Sequence, residues 1–277
     1  MSDLLDIRDL TVDFGDVRAL DAVSLSLKPG MRMGIVGESG SGKSTLGLAV
    51  LGLLPGAAQC AGEVRFEGER IPWSDDGAMT RLRGKRIGFI HQDPMSAFSP
   101  VHSIGTHLIR AYMAAHPGAS RRDARKAAIH RLDEVEITDA PSRLGHYPHE
   151  YSGGMRQRVM IAAALIGNPD LLIADEPTTA LDVTTQASVL RVIDDVITSR
   201  DMGLMLITHD LGVVAEVCTD MTVMYGGKLI QQLPVADVRS KGHPYTQALL
   251  RARPNPGHHD ARLPTIAQLL PDGWFDA

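Results

Sequence analysis

The segment between residues 37 and 44 has the composition and spacing of a phosphate-binding loop. It reads Gly37-Glu38-Ser39-Gly40-Ser41-Gly42-Lys43-Ser44 and matches the pattern G-x-x-x-x-G-K-[ST]. Glycines let several backbone N–H groups converge on one anion, and the positive end of a following helix adds to the attraction. We therefore expect Lys43 to reach the β- and γ-phosphates of a nucleotide and Ser44 to ligate Mg²⁺. The other expected nucleotide contacts are Gly37, Ser39, Gly40, Ser41 and Gly42 in this segment, and Thr45 directly after it.

Two carboxylates follow a buried apolar run further along the chain. Asp175 and Glu176 come directly after the run 171–174. In a parallel sheet, the carboxyl end of such a strand lies beside the phosphate loop. We expect Asp175 to hold Mg²⁺ through its water shell and Glu176 to orient and polarise the attacking water. The alternative is an acidic turn at the end of a strand, without a catalytic role.

A second glycine-containing segment precedes a helical run. Tyr151-Ser152-Gly153-Gly154-Met155 stands before the run 158–166, and backbone N–H groups at such a helix start could hold an anion. By itself, a Gly-Gly pair before a helix is more typical of a turn. The interpretation of this segment therefore depends on the motifs that accompany it.

The apolar pattern around these motifs predicts an α/β fold. Short apolar runs at 33–36, 87–90, 171–174 and 204–207 are typical of parallel strands buried on both faces. Stretches of period two within 5–14 and 20–27 predict an antiparallel β layer at the N-terminus. Helical stretches separate the apolar runs, which indicates a nucleotide-binding type of sheet.

Three further local patterns carry predictions. Between residues 90 and 171 the period becomes helical, with Ser120 as the cap of a helix from Arg121 and Asp123 completing the capping box. The apolar face of that helix would hold Ala124, Ala128, Leu132 and Val135. The pair Gly226-Gly227 predicts a hairpin, and the chain after Pro254 is expected to form a loosely held tail.

Composition excludes several classes of protein. Charged residues make up 22% of the 277 residues and apolar ones 44%, so intrinsic disorder is excluded. Lys and Arg number 28 against 33 Asp and Glu, and this net charge of −5 argues against a protein whose whole surface is built for nucleic acid, although it does not exclude a local basic patch. Two cysteines, Cys60 and Cys218, are too few for a disulfide framework and suit a reducing cytoplasm.

No segment of the sequence is expected to cross a membrane or to direct secretion. The longest apolar stretch, 46–58, is broken by Pro55 and is too short to span a bilayer. The acidic start does not resemble a signal peptide.

Taken together, the motifs resemble those of the ATP-binding cassette (ABC) ATPases. The phosphate loop, Gln92, YSGGM, LLIADE, Ala180-Leu181-Asp182 and His209 follow one another in that family's order, and the resemblance covers residues 4–250. It implies a P-loop NTPase parallel-sheet core, an N-terminal antiparallel β layer and an inserted α-helical subdomain. The implied domains are an ATP-binding core at 1–92 and 166–235, a helical signature subdomain at 93–165 and a C-terminal extension at 236–277.

The resemblance also implies roles for the signature segment. In that family two cassettes pair head to tail, so each ATP lies between the phosphate loop of one chain and the signature of the other. Ser152, Gly153 and Gly154 would then face the partner's γ-phosphate, and Asp182 would line the interface. Tyr151 and Met155 replace the Leu and Gln that are usual in the signature, but neither change affects the residues that face phosphate.

Three more residues receive roles from the resemblance. Gln92 is expected to contact the metal and the attacking water, and His209 to contact the γ-phosphate. Phe14 is expected to stack on adenine in place of the more common Tyr, with packing in the core as its alternative.

Longer stretches resemble one branch of the family, the ATPases of oligopeptide, dipeptide and nickel importers. They are GFIHQDPMSAFSPVHSIG, YPHEYSGGMRQRVMIAAAL and HPYTQALL. By itself the last, which begins at His243, would indicate only an ordinary helix start. We expect the ATPase subunit of a bacterial ABC importer for peptides. The alternatives are an importer of nickel or another small solute, a cassette ATPase outside transport, and a nucleotide-sensing module, against which the presence of Glu176 and His209 argues.

The resemblance implies partners as well as an activity. They are two membrane permease subunits, a second ABC ATPase that is identical or related, and indirectly an extracytoplasmic solute-binding protein; no nucleic acid is expected. The chain would lie peripherally at the cytoplasmic face of the plasma membrane. We expect the loop after Gln92 to contact the permeases through exposed Met95 and Phe98. The alternative is that both side chains fill the base of the helical insertion.

Overall fold

The structure is a computed structural model that describes residues 3–179, 181–252 and 265–270. The strands in these ranges are β1 (Leu5–Phe14), β2 (Val17–Leu27), β3 (Arg32–Val36), β4 (Ala58–Phe66), β5 (Glu69–Arg70), β6 (Ile87–Ile90), β7 (Leu171–Asp175), β8 (Gly203–Ile207), β9 (Asp220–Tyr225) and β10 (Lys228–Pro234). The α-helices are α1 (Lys43–Val50), α2 (Asp76–Leu82), α3 (Pro94–Ala97), α4 (Ile104–Ala115), α5 (Arg121–Glu134), α6 (Ala140–Arg143), α7 (Gly153–Leu165), α8 (Val183–Arg200), α9 (Leu211–Val217), α10 (Val238–Lys241), α11 (Pro244–Arg251) and α12 (Ile266–Leu269). Among the described residues, no helix combines the length and apolar character that crossing a bilayer requires.

A central sheet contains the strands that the apolar runs predicted. Its strand order is β10-β9-β3-β8-β7-β6, in which β10 pairs antiparallel with β9 and the other neighbours pair in parallel. The predicted parallel core is thereby confirmed. The carboxyl ends of β3, β6, β7 and β8 meet at one edge of this sheet, where the phosphate loop and both carboxylates begin.

Strand β7 shows why the central strands are apolar at every position. Leu171 and Ile173 belong to a buried cluster that includes the N-terminal strands and α1, whereas Leu172 and Ala174 belong to a second cluster formed with the inserted helices and α8. All four side chains are at most 1% exposed. Successive side chains of a strand point to opposite faces, so β7 is enclosed between two cores. This packing holds the end of β7 in place.

A second, antiparallel sheet has the strand order β2-β1-β4-β5. The expected N-terminal β layer is confirmed by β1 and β2, which pair in antiparallel fashion from Leu5 opposite Leu27 to Phe14 opposite Val17. Strand β4 pairs with β1 on the other side, and the sequence pattern did not predict it. Residues 59–62 of β4 are all exposed, so they carry no alternation of apolar and polar side chains from which a strand could be inferred.

The inserted region between β6 and β7 is helical, as expected. Helix α5 begins at Arg121, where Ser120 Oγ accepts a hydrogen bond from the Asp123 N–H at 3.1 Å. The residues expected on its apolar face are all completely buried, namely Ala124, Ala128, Leu132 and Val135. The short polar cap and the apolar spacing of four residues thus place this helix as the sequence predicted.

The C-terminal part adds a hairpin and short helices to the core. The predicted turn at Gly226-Gly227 joins β9 to β10, with Tyr225 opposite Lys228. Most of the chain after Pro254, for which a loose tail was expected, lies outside the described residues. Within 265–270, however, α12 forms and packs against α11, and Leu270 is buried.

Candidate functional site

The phosphate loop lies between β3 and α1, at the strand-to-helix junction that its motif requires. Gly42 caps α1 with φ 97°, a left-handed conformation that side chains other than glycine rarely adopt. A Cβ atom at this position would also stand only 2.6 Å from the carbonyl oxygen of Ala19. Both facts explain why glycine occupies position 42. The N-terminal end of α1 therefore faces the loop without a side chain in between.

Lys43 is the buried cation of this loop. Its Nζ donates hydrogen bonds to the carbonyl oxygens of Gly37 at 2.8 Å and Glu38 at 2.7 Å. Burial lowers the pKa of Lys43, while the carboxylates of Glu176, Asp175 and Glu38 oppose that shift. The ammonium group is thus held by the loop itself, close to where the phosphates of a nucleotide are expected.

Ser44 and Asp175 join the start of α1 to the end of β7. Ser44 Oγ donates a hydrogen bond to Asp175 Oδ1 at 3.0 Å. Burial raises the pKa of Asp175, and the hydrogen bond from Ser44 opposes the shift. A hydroxyl and a carboxylate oxygen are the hard ligands that Mg²⁺ prefers, and phosphate oxygens usually complete such a site. The donor set at this position therefore fits the expected magnesium ion.

Glu176 is held by neighbours on both sides of its carboxylate. Thr179 Oγ1 donates to Oε2 at 2.9 Å, and the His209 N–H donates to Oε1 at 3.1 Å. The Nδ1 atom of His209 lies 2.8 Å from the same Oε1. Glu176 itself has φ 50°, a strained conformation that is common at functional sites. His209 is 67% exposed and contacts Glu176, so these two expected site residues form one unit.

These groups surround one cavity of about 550 Å³. The expected site residues that line it are Ser39, Gly40, Gly42, Lys43, Ser44, Thr45, Gln92, Glu176 and His209. Gly37 and Asp175 stand directly behind the lining, because Gly37 accepts from Lys43 and Asp175 from Ser44. Ser41 is buried in the loop. Ala19 lines the cavity too, and nothing in its residue type or spacing signalled this position.

Phe14 is not among the residues that line the cavity. It ends β1, where it pairs with Val17 and with Ala58, and its half-buried side chain packs against the core cluster of the N-terminal strands. This is the packing that its alternative interpretation described. Its stacking on adenine stays a prediction.

The signature residues lie apart from this cavity, at the start of α7. Ser152 caps that helix and accepts from the Met155 N–H at 3.4 Å, and neither it nor Gly153 is buried. A Cβ at Gly154 would stand 2.5 Å from Thr185 Cγ2 on α8. Glycine is therefore required there for the close approach of the two helix starts.

Asp182 caps the neighbouring helix α8. Its carboxylate accepts hydrogen bonds from Thr184 Oγ1 at 2.5 Å, Thr185 Oγ1 at 2.7 Å and the Thr185 N–H at 3.0 Å. These bonds, that of Thr184 first, lower the pKa of Asp182. Asp182 and the signature thus form one surface. None of the residues that line the cavity belongs to this surface.

Two residues of the loop after Gln92 were expected to contact the permeases together, but they differ in exposure. Phe98 is only 6% exposed and belongs to the core cluster of the inserted helices, with its ring against that of His107. The expectation that Phe98 is an exposed contact is therefore wrong, because the ring fills the base of the helical insertion. Met95 is 56% exposed and keeps the exposure that a contact residue needs. Its sulfur lies 2.6 Å from Arg156 Nη1 on α7.

Comparison with known proteins decides the family. Residues 20–179 match the family model described as ABC transporter. This chain belongs to the ABC transporter family. The resemblance to the ABC ATPases is thereby confirmed, and with it the class of this chain as an ABC-type ATPase.

Individual relatives extend over most of this ABC chain. It is 47% identical over 276 residues to the probable peptide ABC transporter ATP-binding protein y4tR of Sinorhizobium fredii, with 97% of this chain and 82% of the relative covered. It is 46% identical to the oligopeptide transport ATP-binding protein OppD of Mycobacterium bovis, with 92% of this chain but only 42% of that longer relative covered. A solved dimeric ATP-binding cassette in a post-hydrolysis state, bound to ADP and Pi, superimposes with a TM-score of 0.74 at 27% identity and covers 83% of this chain and 98% of its own.

Proposed function

We propose that this chain is the ATP-hydrolysing subunit of a peptide importer and couples MgATP binding and hydrolysis to transport by separate membrane permease subunits. One observation carries the proposal: Lys43, Ser44, Gln92, Glu176 and His209 line a single cavity at the carboxyl edge of the parallel sheet. Ligands of open α/β sheets bind at this edge. The assignment of a peptide substrate rests on relatives whose names state peptide or oligopeptide transport.

The phosphate loop would bind the triphosphate. The N–H groups at the start of α1 and the buried ammonium of Lys43 offer donors and positive charge to the β- and γ-phosphates. Ser44, Asp175 and Gln92 would hold Mg²⁺, which neutralises negative charge on the phosphates when it is bound. Gly37, Ser39, Gly40, Ser41, Gly42 and Thr45 supply the remaining loop contacts, and Phe14 would stack on the adenine.

Hydrolysis requires a group that orients the attacking water. Glu176 fits this role because its carboxylate lines the cavity and is fixed by Thr179 and His209. A positioned carboxylate accepts a proton from the water as it attacks phosphorus. His209 holds Glu176 in the present arrangement, and its exposed ring is available to contact the γ-phosphate of bound nucleotide.

A second chain would complete the site. Ser152, Gly153, Gly154 and Asp182 form a surface of their own rather than part of the cavity, which suits a site closed by a partner ATPase. That partner is a second copy of this chain or a related ATPase.

The permeases would dock at a groove on the other side of the loop that begins with Gln92. This groove has a volume of about 450 Å³ and is lined mostly by apolar groups, among them Leu53, Phe89 and Ala97. Exposed Met95 and Val101 lie on the same loop. The complex would have two permeases and receive its solute from an extracytoplasmic binding protein. It would place this chain at the cytoplasmic face of the plasma membrane, with no role for nucleic acid.

The test of the proposed activity is Glu176→Gln. This change keeps the size of the side chain and removes its charge, so we expect folding and MgATP affinity to be retained. Hydrolysis should slow by about 10²- to 10⁴-fold, the usual contribution of a positioned base, and an ATP-bound dimer should accumulate. Phosphate release and nucleotide binding are measured on the purified chain. Glu216→Gln, which alters an exposed glutamate on α9, is the control. Turnover near that of the unsubstituted chain would rule out the role assigned to Glu176.

A further inference from the structure

A tyrosine from the C-terminal part of the chain is buried against the phosphate loop. Tyr245, near the start of α11, is completely buried, and its hydroxyl donates a hydrogen bond to Glu38 Oε2 at 3.2 Å. Its ring lies 4.9 Å from that of Tyr225 at the end of β9. The two bonded residues are 207 positions apart in the chain. Tyr245 belongs to the segment HPYT, for which the proposed function supplies no role.

The position of Tyr245 is fixed by a neighbouring side chain of the central sheet. Gln231 on β10 accepts hydrogen bonds from the His243 N–H at 2.7 Å and from Thr246 Oγ1 at 2.9 Å. Its Nε2 donates to the Lys241 carbonyl oxygen at 2.8 Å, and Thr246 is as completely buried as Tyr245. The start of α11 is thus tied to β10, so the tyrosine hydroxyl has a defined place beside the loop.

Glu38 places a carboxylate in a loop that must hold an anion. Its carbonyl oxygen accepts from Lys43 Nζ and from the Ser41 N–H, which places the residue in the turn that surrounds the phosphates. A carboxylate in that turn repels phosphate and competes with it for Lys43. Glu38 is nevertheless absent from the lining of the cavity. Its carboxylate is instead bonded to Tyr245, on the side of α11.

We propose that Tyr245 is a positioning residue that holds the Glu38 carboxylate out of the phosphate cavity, so that Lys43 and the loop N–H groups remain available to MgATP. The inference rests on the proposed function, because it assumes that this loop binds the triphosphate. Burial and the charge of Glu38 raise the pKa of Tyr245, so its hydroxyl keeps the proton that it donates. The C-terminal segment is thereby part of the apparatus that prepares the nucleotide site.

The first measurement is the affinity of the full chain for MgATP, by titration calorimetry. Tyr245→Phe removes only the hydroxyl, and we expect the Kd to rise about three- to tenfold, as for the loss of one hydrogen bond. The KM for MgATP should rise by a similar factor with kcat unchanged, because Tyr245 does not touch the reacting atoms. Thr222→Val is the matched control, since it removes an equally buried hydroxyl whose partner is the Met33 sulfur rather than Glu38. It should leave the Kd unchanged.

The second measurement tests whether the effect passes through Glu38. Glu38→Gln removes the charge, so adding Tyr245→Phe to that variant should change the Kd less than about twofold. Three results would overturn the inference: an unchanged Kd for Tyr245→Phe, an equal rise for Thr222→Val, or an equal rise for Tyr245→Phe with and without Glu38→Gln. Failure of the unsubstituted chain to bind MgATP would instead contradict the proposed function, and the two failures are therefore distinguishable.

Discussion

At the scale of single residues, burial shapes the charges around the phosphate loop. Burial lowers the pKa of Lys43 and raises that of Asp175, so both groups are shifted towards their neutral forms. An environment of this kind favours the arrival of a counter-charge. A triphosphate beside Lys43 and a divalent cation beside Asp175 would each supply one. The two buried charges are therefore best satisfied when nucleotide and metal bind together.

Lys43→Ala tests the role of the buried cation. The change removes the buried cation from a site organised around phosphates, and we expect measurable MgATP binding to be lost. It also removes the hydrogen bonds to the carbonyl oxygens of Gly37 and Glu38. A melting curve is therefore recorded beside the binding titration, to show that the variant is folded.

The control for this prediction is another lysine of the ATP-binding core. Lys85 is exposed and lies outside the cavity lining, so Lys85→Ala should bind MgATP like the unsubstituted chain. If the folded Lys43→Ala variant also kept full affinity, the loop would not be the phosphate site.

The sequence predicted those parts of the site whose residues lie close together in the chain, and it missed contacts between distant residues. The loop 37–44 is contiguous, and its conformation follows from its own glycines, so the sequence alone indicated where phosphate would lie. Asp175 and Glu176 follow a buried run and were placed for the same reason. By contrast, no local pattern indicates that Tyr245 contacts Glu38, or that Phe98 is enclosed by the inserted helices. Both depend on packing between elements distant in sequence.

At the scale of elements, the starts of α7 and α8 act as one unit. The missing Cβ of Gly154 lets α7 approach Thr185, and Thr185 in turn holds the Asp182 carboxylate. A side chain at Gly154 would disturb this contact within the chain itself. Gly153 is the better position for testing the surface, because a Cβ there meets no atom within 4 Å.

We expect Gly153→Asp to act only when two chains meet. A carboxylate in the first turn of α7 is compatible with the helix dipole, so the variant should fold and bind MgATP as a single chain. Facing a partner's γ-phosphate, the same charge should lower hydrolysis by about tenfold or more, equivalent to about 1.4 kcal/mol. Gly153→Asn, which has the same size without the charge, should retain most of the activity.

Mixing variants tests whether the surface completes the site of a partner. Chains with Lys43→Ala and chains with Gly153→Asp would form heterodimers that contain one intact site, so hydrolysis should partly recover. Absence of recovery, with heterodimers demonstrated by a tag on each chain, would contradict completion of the site by a second chain.

Whether a strand or helix could be predicted from the sequence depended on how its residues are buried. Strands β3, β6, β7 and β8 are buried on both faces, and their continuous apolar runs could be recognised directly. Strand β4 has an exposed first half, and it exists because β1 pairs with it rather than because its own residues alternate. Helix α12 is short, and its position depends on contact with α11. Pairing partners of this kind are not encoded in the period of the segment itself.

At the scale of the whole molecule, one loop connects the nucleotide cavity to the groove. Gln92 lines the cavity, whereas Ser96, Ala97 and Phe98 line the groove. The buried ring of Phe98 fixes the loop to the inserted helices. A rearrangement at Gln92 would therefore be transmitted to the groove through a few residues of continuous chain, with Phe98 as the anchor rather than as the contact surface.

This arrangement predicts that a charge in the groove separates transport from ATP binding. Leu53 lines the groove and is 42% exposed, so Leu53→Glu should shift the free energy of unfolding by only about 0.5 kcal/mol, as exposed substitutions usually do. A carboxylate there would be buried unpaired against an apolar partner, which is costly, so association with the permeases and stimulated hydrolysis should be lost while MgATP affinity stays unchanged.

Met113→Glu is the matched control, because Met113 has the same exposed fraction and lies outside the groove. Co-purification with the proposed permease subunits, together with melting curves, gives the measurement. A Leu53→Glu chain that still associates and is stimulated normally would exclude the groove as the docking site.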